Sequence, residues 1–322
     1  MKRINFRNSL TIVILIAVFV LSFAVISGAQ NFPEKAITIV VPWGPGGVSD
    51  SRVRIMAQYV EDILGQPIVI KNIGGASGAV GTEEALKARS DGYTLISVDD
   101  ATWYAMHSGL GEYVLADFEP IASITKWPLV LAIRADSPWN SIDELIEYSI
   151  NERPIKFAVT VGNQSHLVPK LIADQTGANF NYITPQGDVA RQAALLAGNV
   201  DAVMSYVPAA AEYLKAGEFK LLAITSPERH DVLPEIPTLL EQNIDVEYVM
   251  RGGLCAPAGT PKEVVAVLES AYQKAIQNEE MVKKLDNLAL TIDFKTSEEM
   301  SDYLVEINEV IAEFSDEIGL GN

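Results

Sequence analysis

Apolar and polar positions along the chain switch between two periods. Ala36–Val41 is an almost unbroken apolar run of the buried-strand type, and shorter runs follow at Ile68–Lys71 and Tyr93–Val98. Between the first two, Ser49–Leu64 places Val53, Met56, Ala57, Val60, Ile63 and Leu64 on one helical face and stops at Gly65. A glycine-rich stretch, Gly74–Gly81, leads into a second expected helix that ends near Arg89. The rhythm continues with a Ser141/Glu144 capping box and an expected strand at Ile155–Val161. It then predicts a helix over Gly187–Ala197 stopped by Gly198, and strands at Asp201–Tyr206 and Lys220–Thr225. Thr260, Pro261 and Glu263 read as another capping box, followed by the stripe Val264, Leu268, Ala271 and Ala275. A last helix is expected over Ser297–Phe314. Strand–helix–strand units of this length imply right-handed crossovers, a largely parallel sheet and an α/β fold. No long linker interrupts the pattern. Two domains would therefore be joined by strands that cross near Ile121–Ile133 and Val246–Ala256, with a ligand cleft between two α/β lobes.

Composition adds compartment and charge. Lys2, Arg3 and Arg7 precede the apolar run Leu10–Ile26, and Ser27-Gly28-Ala29 supplies small residues at a cleavage site. Residues 1–29 are thus expected to be a signal peptide cut after Ala29; the alternative is a retained membrane anchor, since the run approaches spanning length. The chain has 24 Lys+Arg and 42 Asp+Glu. Removing residues 1–29 leaves 21 basic residues against 42 acidic ones, a net −21. Such a charge argues against nucleic acid or an anionic membrane as partner, but not against a small anion, which responds to local fields. Cys255 is the only cysteine in the chain, so no intramolecular disulfide forms, and no cysteine follows the signal to carry a lipid. These features fit a soluble periplasmic protein of a Gram-negative bacterium, expected to be a monomer.

Candidate chemistry gathers at strand ends. IVVPWGPGGVSD, Ile39–Asp50, ends a strand, bares three glycines and opens a helix. Exposed amides beside a helix N-terminus hold a carboxylate or phosphate without lysine or arginine. Gly74–Gly81 repeats the device after the next strand. Neither loop is followed by Gly-Lys-Ser/Thr, and neither is a G-x-G-x-x-G dinucleotide loop. The bland alternative is two plain strand–helix turns with Asp50 as a helix cap; two such loops at neighbouring strand ends favour binding. Asp99 and Asp100, with Trp103 close by, follow the third strand and would meet an amine or polar group of a ligand, or else form a solvated turn. Ser165 and His166 sit in TVGNQSHL at another strand-to-helix loop; His166 either caps or hydrogen-bonds a ligand. Adjacent in sequence, they do not form a nucleophile–base pair, and neither G-x-S-x-G, H-E-x-x-H nor a metal-ligand spacing is present. No enzyme, cofactor or metal is expected.

In order along the chain, ITIVVPWGPGGVSD, LGQPIVIKNIGGASGAVG, SDGYTLI, GNQSHL, QTGANF, ALLAGNVDAVM, LLAITSPERHDVLPEIPTLLEQ and GLCAPAGTP resemble the signatures of one family. It is the periplasmic substrate-binding proteins of tripartite tricarboxylate transporters, the Bug family. The resemblance implies two α/β lobes of the type II-like periplasmic binding fold, joined by crossing strands and closing on a small organic carboxylate. It implies lobe 1 at residues 30–129 plus 251–322 and lobe 2 at 130–250. It also implies delivery of the ligand to a large and a small membrane subunit; a sensor for a signalling partner would need the same trap. The glycine loops would clamp the carboxylate through amides and waters at Gly46, Gly47, Gly75, Ala76 and Ser77, with Asp50 as the family's loop aspartate and Ser165 and His166 as its Ser/His loop. Trp43, Pro45, Thr102, Gly162, Gln186, Gly187, Asp201 and Ser205 complete the candidate contacts, beside Asp99 and Asp100. Two departures stand out. Thr184-Pro185-Gln186-Gly187 replaces the family's Pro-Tyr-Lys-Gly, which removes a lysine, and Asp99-Asp100 replaces small residues. Both argue against citrate-like ligands and for one clamped carboxylate with a polar or amine-bearing remainder.

Overall fold

The computed structural model describes residues 32–185 and 187–320. The expected signal peptide and Gln186 lie outside the described residues. Among those described, no helix is long and apolar enough to cross a membrane.

β1 (Ile37–Val41), β2 (Ile68–Asn72) and β3 (Thr94–Asp99) pair in parallel, with β1 in the middle. Helix α1 (Val48–Leu64) covers them through Val53, Met56, Ala57 and Val60, and Gly65 ends it at φ 66°. α2 (Ala79–Leu86) and α3 (Asp100–His107) follow β2 and β3. Then β4 runs for 17 residues, Phe118–Arg134, buried along most of its length. Its first part pairs antiparallel with β9 (Val249–Pro257) and, at the edge, β10 (Thr291–Lys295). Its last part, from Leu129, pairs antiparallel with β7 (Ala202–Tyr206) and β8 (Phe219–Ile224). β5 (Ile155–Ala158) lies in parallel between β7 and β6 (Phe180–Ile183). The strand order is β2-β1-β3-β9-β4-β7-β5-β6. The outer strands on each side are parallel, as the crossover pattern predicts. The two central strands are antiparallel because both cross between lobes, in opposite directions.

The remaining helices are α4 (Ile142–Asn151), α5 (Gln164–Thr176), α6 (Gly187–Leu196), α7 (Val207–Lys215), α8 (Lys262–Ala275), α9 (Glu279–Asp286) and α10 (Ser297–Glu317). Ser141 caps α4 through Glu144 N, while the Glu144 carboxylate reaches back to Asn140 N. The Thr260 box does not form. Pro261 takes the cap position, and Thr260 Oγ1 donates to the Pro257 carbonyl instead. α10 is capped by Thr296 with Glu299, a capping box that the apolar periodicity does not announce. The expected strand at Ile155–Val161 stops at Ala158, because the next residues turn toward α5.

Candidate ligand-binding cleft

A cavity of about 910 Å³ opens between the two lobes. Among the described residues, five helices present their N-terminal ends to it: α1 at Gly47–Ser49, α3 at Asp99–Ala101, α5 at Asn163–Gln164, α6 at Gly187–Asp188 and α7 at Tyr206–Pro208. The first-turn N–H groups of a helix have no partner within it, and its N-terminus carries partial positive charge. Three of these ends already hold an acid in the first turn: Asp50, Asp100 and Asp188. α5 and α7, both in the second lobe, hold none, and α7 has no side-chain cap.

The first glycine loop is open. A Cβ on Gly44 or Gly46 would meet nothing within 4 Å, and one on Gly47 only the Gly44 carbonyl at 3.8 Å. Asp50 shapes this loop from below. It is buried and accepts from Gly46 N, Asn72 Nδ2 and Arg54 Nε, each at 2.9 Å. Burial alone would raise its carboxyl, but the bonds from Arg54, Gly46 and Asn72 outweigh burial and hold it below the ordinary range. Asp50 therefore supports the loop and lies outside the cleft lining. The glycines of the second loop have a different task. A Cβ on Gly81 would stand 2.2 Å from the Ile73 carbonyl, and one on Gly78 would stand 3.1 Å from the Trp43 ring. They let α2 pack under Pro42 and Trp43. Ser77 alone of that loop's candidates lines the cavity; Gly75 and Ala76 are exposed elsewhere.

The candidates brought together at the cavity are Trp43, Pro45, Gly47, Ser77, Asp99, Gly162 and Gly187. Asp99 caps α3 by accepting from Ala101 N and also accepts from Ser49 Oγ at 2.8 Å. Several candidates do not reach it. Asp100 is buried behind α3 and accepts from the hydroxyls of Tyr248 and Tyr303, both at 2.9 Å. Thr102 and Trp103 are core residues of the same helix. Ser165 pins the loop before α5, donating to Asn163 Oδ1 and accepting from Thr160 N. His166 packs between Tyr182 and Phe314, where burial and then the Lys170 charge lower its pKa. Asp201 is paired with Arg153 outside the cleft, and Ser205 is buried within β7.

Residues that the sequence pattern did not single out supply much of the lining. Arg191, on α6, is 3% exposed and is the only cation lining the cavity among the described residues. It hydrogen-bonds Thr160 and Asp188, and its Nε is unpartnered. The positive charge that Thr184–Gly187 seemed to remove is thus supplied one helical turn later. Gln164 gives Nε2 to the Tyr206 hydroxyl at 2.8 Å and keeps a buried, unpartnered Oε1. Burial raises Tyr206 well above the ordinary range, so its proton stays on while the oxygen accepts from Gln164. Apolar walls come from Trp127, Met250, Leu288, Leu290 and Leu320.

Residues 52–315 match the family of tripartite tricarboxylate transporter receptors. The chain belongs to that family. Protein BugT of Bordetella pertussis is 33% identical over 264 residues, 79% of this chain and 80% of that protein. MatC of Rhodopseudomonas palustris, solved with bound malate, superposes with a TM-score of 0.71 at 27% identity, covering 88% of this chain and 99% of that one. Rpa4515 of R. palustris, solved with adipate, gives 0.76 at 25% identity, covering 90% and 99%. The family's solved members include a TctC solute binding protein from Polaromonas and the periplasmic binding protein BugD, and this chain shares their two-lobed periplasmic binding fold.

Proposed function

We propose that this family member captures a small organic carboxylate between its lobes and delivers it, as a periplasmic monomer freed of residues 1–29, to the large and small membrane subunits of a tripartite transporter. The convergence of five helix N-termini and one arginine on a single cavity, in a chain of net charge −18, carries the proposal. Helix ends and a guanidinium are anion-holding groups, and they are concentrated where the rest of the molecule is acidic. We assign the ligand carboxylate to the second-lobe end, at Arg191, Tyr206 and the acid-free N-termini of α5 and α7. The first-loop amides of Gly47 and Ser49 then meet the ligand from the other side. We place lobe 1 at 30–129 plus 251–322 and lobe 2 at 130–250, in keeping with the change of β4 partners at Leu129. The cavity is near the upper end of the usual 300–1,000 Å³ range. A malate- or adipate-sized acid leaves much of it empty, so capture includes approach of the lobes.

The test is thermal unfolding of residues 30–322 against mono-, di- and tricarboxylates, amino acids and aromatic acids, after unfolding and refolding to remove any carried ligand. A ligand that binds only the folded state raises stability with the logarithm of its concentration. A stabilising shift for one carboxylate class is expected, and turnover of none. No shift across the panel overturns the proposal. Uptake by vesicles that hold both membrane subunits, on addition of the loaded protein, distinguishes transport from sensing.

A further inference from the structure

The crossing strands lay an apolar floor between the lobes. Trp127 on β4 and Met250 on β9 stand directly opposite each other in the antiparallel register and so share a face. Leu290 leads into β10, whose Thr291 pairs with Lys126, which brings Leu290 beside Trp127. All three line the cavity. The sides continue this character. Val48 at the start of α1, Leu110 after α3 and Val161 before α5 line it too, and they are 38%, 48% and 47% exposed. Leu320, beyond α10, reaches the loop before α5, where a Cβ on Gly162 would stand 2.6 Å from its Cδ1. Large apolar side chains left open on both walls of one cavity mark a place for an apolar partner. The polar side chains of the lining are mostly engaged already. Ser49 bonds to Asp99, Ser108 to the Ala105 carbonyl, Asn163 to Ser165, Gln164 to Tyr206, and Thr160 and Asp188 to Arg191. What they leave over lies at two ends. In the second lobe these are Arg191 Nε and Gln164 Oε1; in the first they are Trp43 Nε1, Ser77 and the amides of Gly47 and Ser49.

We propose that the ligand is an acid with an apolar body, polar at its ends and free of hydroxyl groups on the carbons between them. The proposal rests on the carboxylate reading above and narrows it. The carboxylate sits at the Arg191 end, and the body lies over Trp127, Met250 and Leu290, between Val48 and Leu110 on one wall and Val161 on the other. The first-lobe end offers donors in its amides and an acceptor in Asp99, so it takes a polar group of either kind. The polar remainder expected from the Asp99-Asp100 pair is thereby confined to the far end of the ligand. A hydroxyl on the body would leave water and meet no partner over the floor, whereas each methylene placed there gains from burial. Polyhydroxylated acids are the class that the cleft rejects.

The test compares adipate with galactarate by calorimetry. The two have the same chain length and the same two carboxylates, and they differ only in the hydroxyls on the body. The wild-type chain is expected to bind adipate at least about 30-fold more tightly. Val48→Thr and Val161→Thr keep the shape of two open side chains and add a hydroxyl to each, with little effect on folding because both positions are exposed. The double variant is expected to narrow the adipate-to-galactarate ratio by roughly three- to tenfold, through weaker adipate and stronger galactarate binding. Equal affinity of the wild-type chain for the two acids, or a preference for galactarate, overturns the proposal. An unchanged ratio in the double variant, with both acids weakened alike, means that Val48 and Val161 seal the lobes against each other, and overturns their place beside the ligand. Binding of neither acid overturns the apolar body as stated here, while a stabilising shift from another carboxylate of the panel keeps the carboxylate reading; no shift from any of them ends both.

Discussion

Arg191 commits its Nη atoms to Asp188 and Thr160 and leaves Nε unpartnered in a cavity wall. Arg191→Met removes the one cation of that wall among the described residues. Carboxylate affinity is expected to fall by roughly 10- to 100-fold, the worth of one charge-assisted hydrogen bond, as read by calorimetry with adipate or 5-aminopentanoate. Unchanged affinity in a folded variant would place the carboxylate elsewhere. Asp50 acts differently. Its three hydrogen bonds hold the first loop to α1 and β2. Asp50→Ala is expected to cost roughly 1–3 kcal/mol in chemical denaturation, because Asn72 and Gly46 lose a buried acceptor. Residue spacing exposed Asp99, since it directly follows a strand. It hid Arg191, because an arginine in the middle of an amphipathic helix reads as solvent-facing until the partner lobe is known.

At the level of elements, the two glycine loops look alike in sequence and diverge in space. The first leaves its backbone bare beside α1; the second uses Gly78 and Gly81 to let α2 approach Trp43 and Pro42. Gly47 takes φ −75°, which proline tolerates, and stands at the α1 N-cap. Gly47→Pro is therefore expected to leave the melting temperature within a few degrees of wild type while removing an amide from the cleft. Loss of the ligand-induced thermal shift would support the first-loop role, and a full shift would refute it. Glycine spacing signals a strained or closely packed backbone. It does not tell whether the close neighbour is a ligand or another part of the chain.

For the whole molecule, Asp100 links elements far apart in sequence. Its carboxylate accepts from Tyr248, just before β9, and from Tyr303 on α10. Burial, partly offset by those two hydroxyls, pushes its pKa up to about 7 from 3.8. Folded chain therefore keeps a proton that the unfolded chain loses between these values. Its stabilising contribution is complete below about pH 4 and is lost as pH rises through about 7. Asp100→Asn is expected to flatten the fall in melting temperature between pH 5 and 8 relative to wild type; an identical slope in the two proteins would refute the burial argument.

The sequence alone determined the α/β class, the parallel outer strands, most helix spans and the family, and it picked out the first loop, which lines the cleft. These follow from local rules: apolar period, glycine at strand ends and caps within a few residues. It also placed the crossing strands, because no linker was available to join two lobes. Tertiary structure decided which acids line the cleft, that Arg191 lines it too and that Arg52 is buried against Ser97 and Val98. Those facts depend on which faces two lobes turn to each other across the crossing strands β4 and β9. Neighbouring Asp99 and Asp100 show the difference most directly: one peptide bond apart at the start of α3, they point to opposite sides of the helix end, one into the cleft and one into the core.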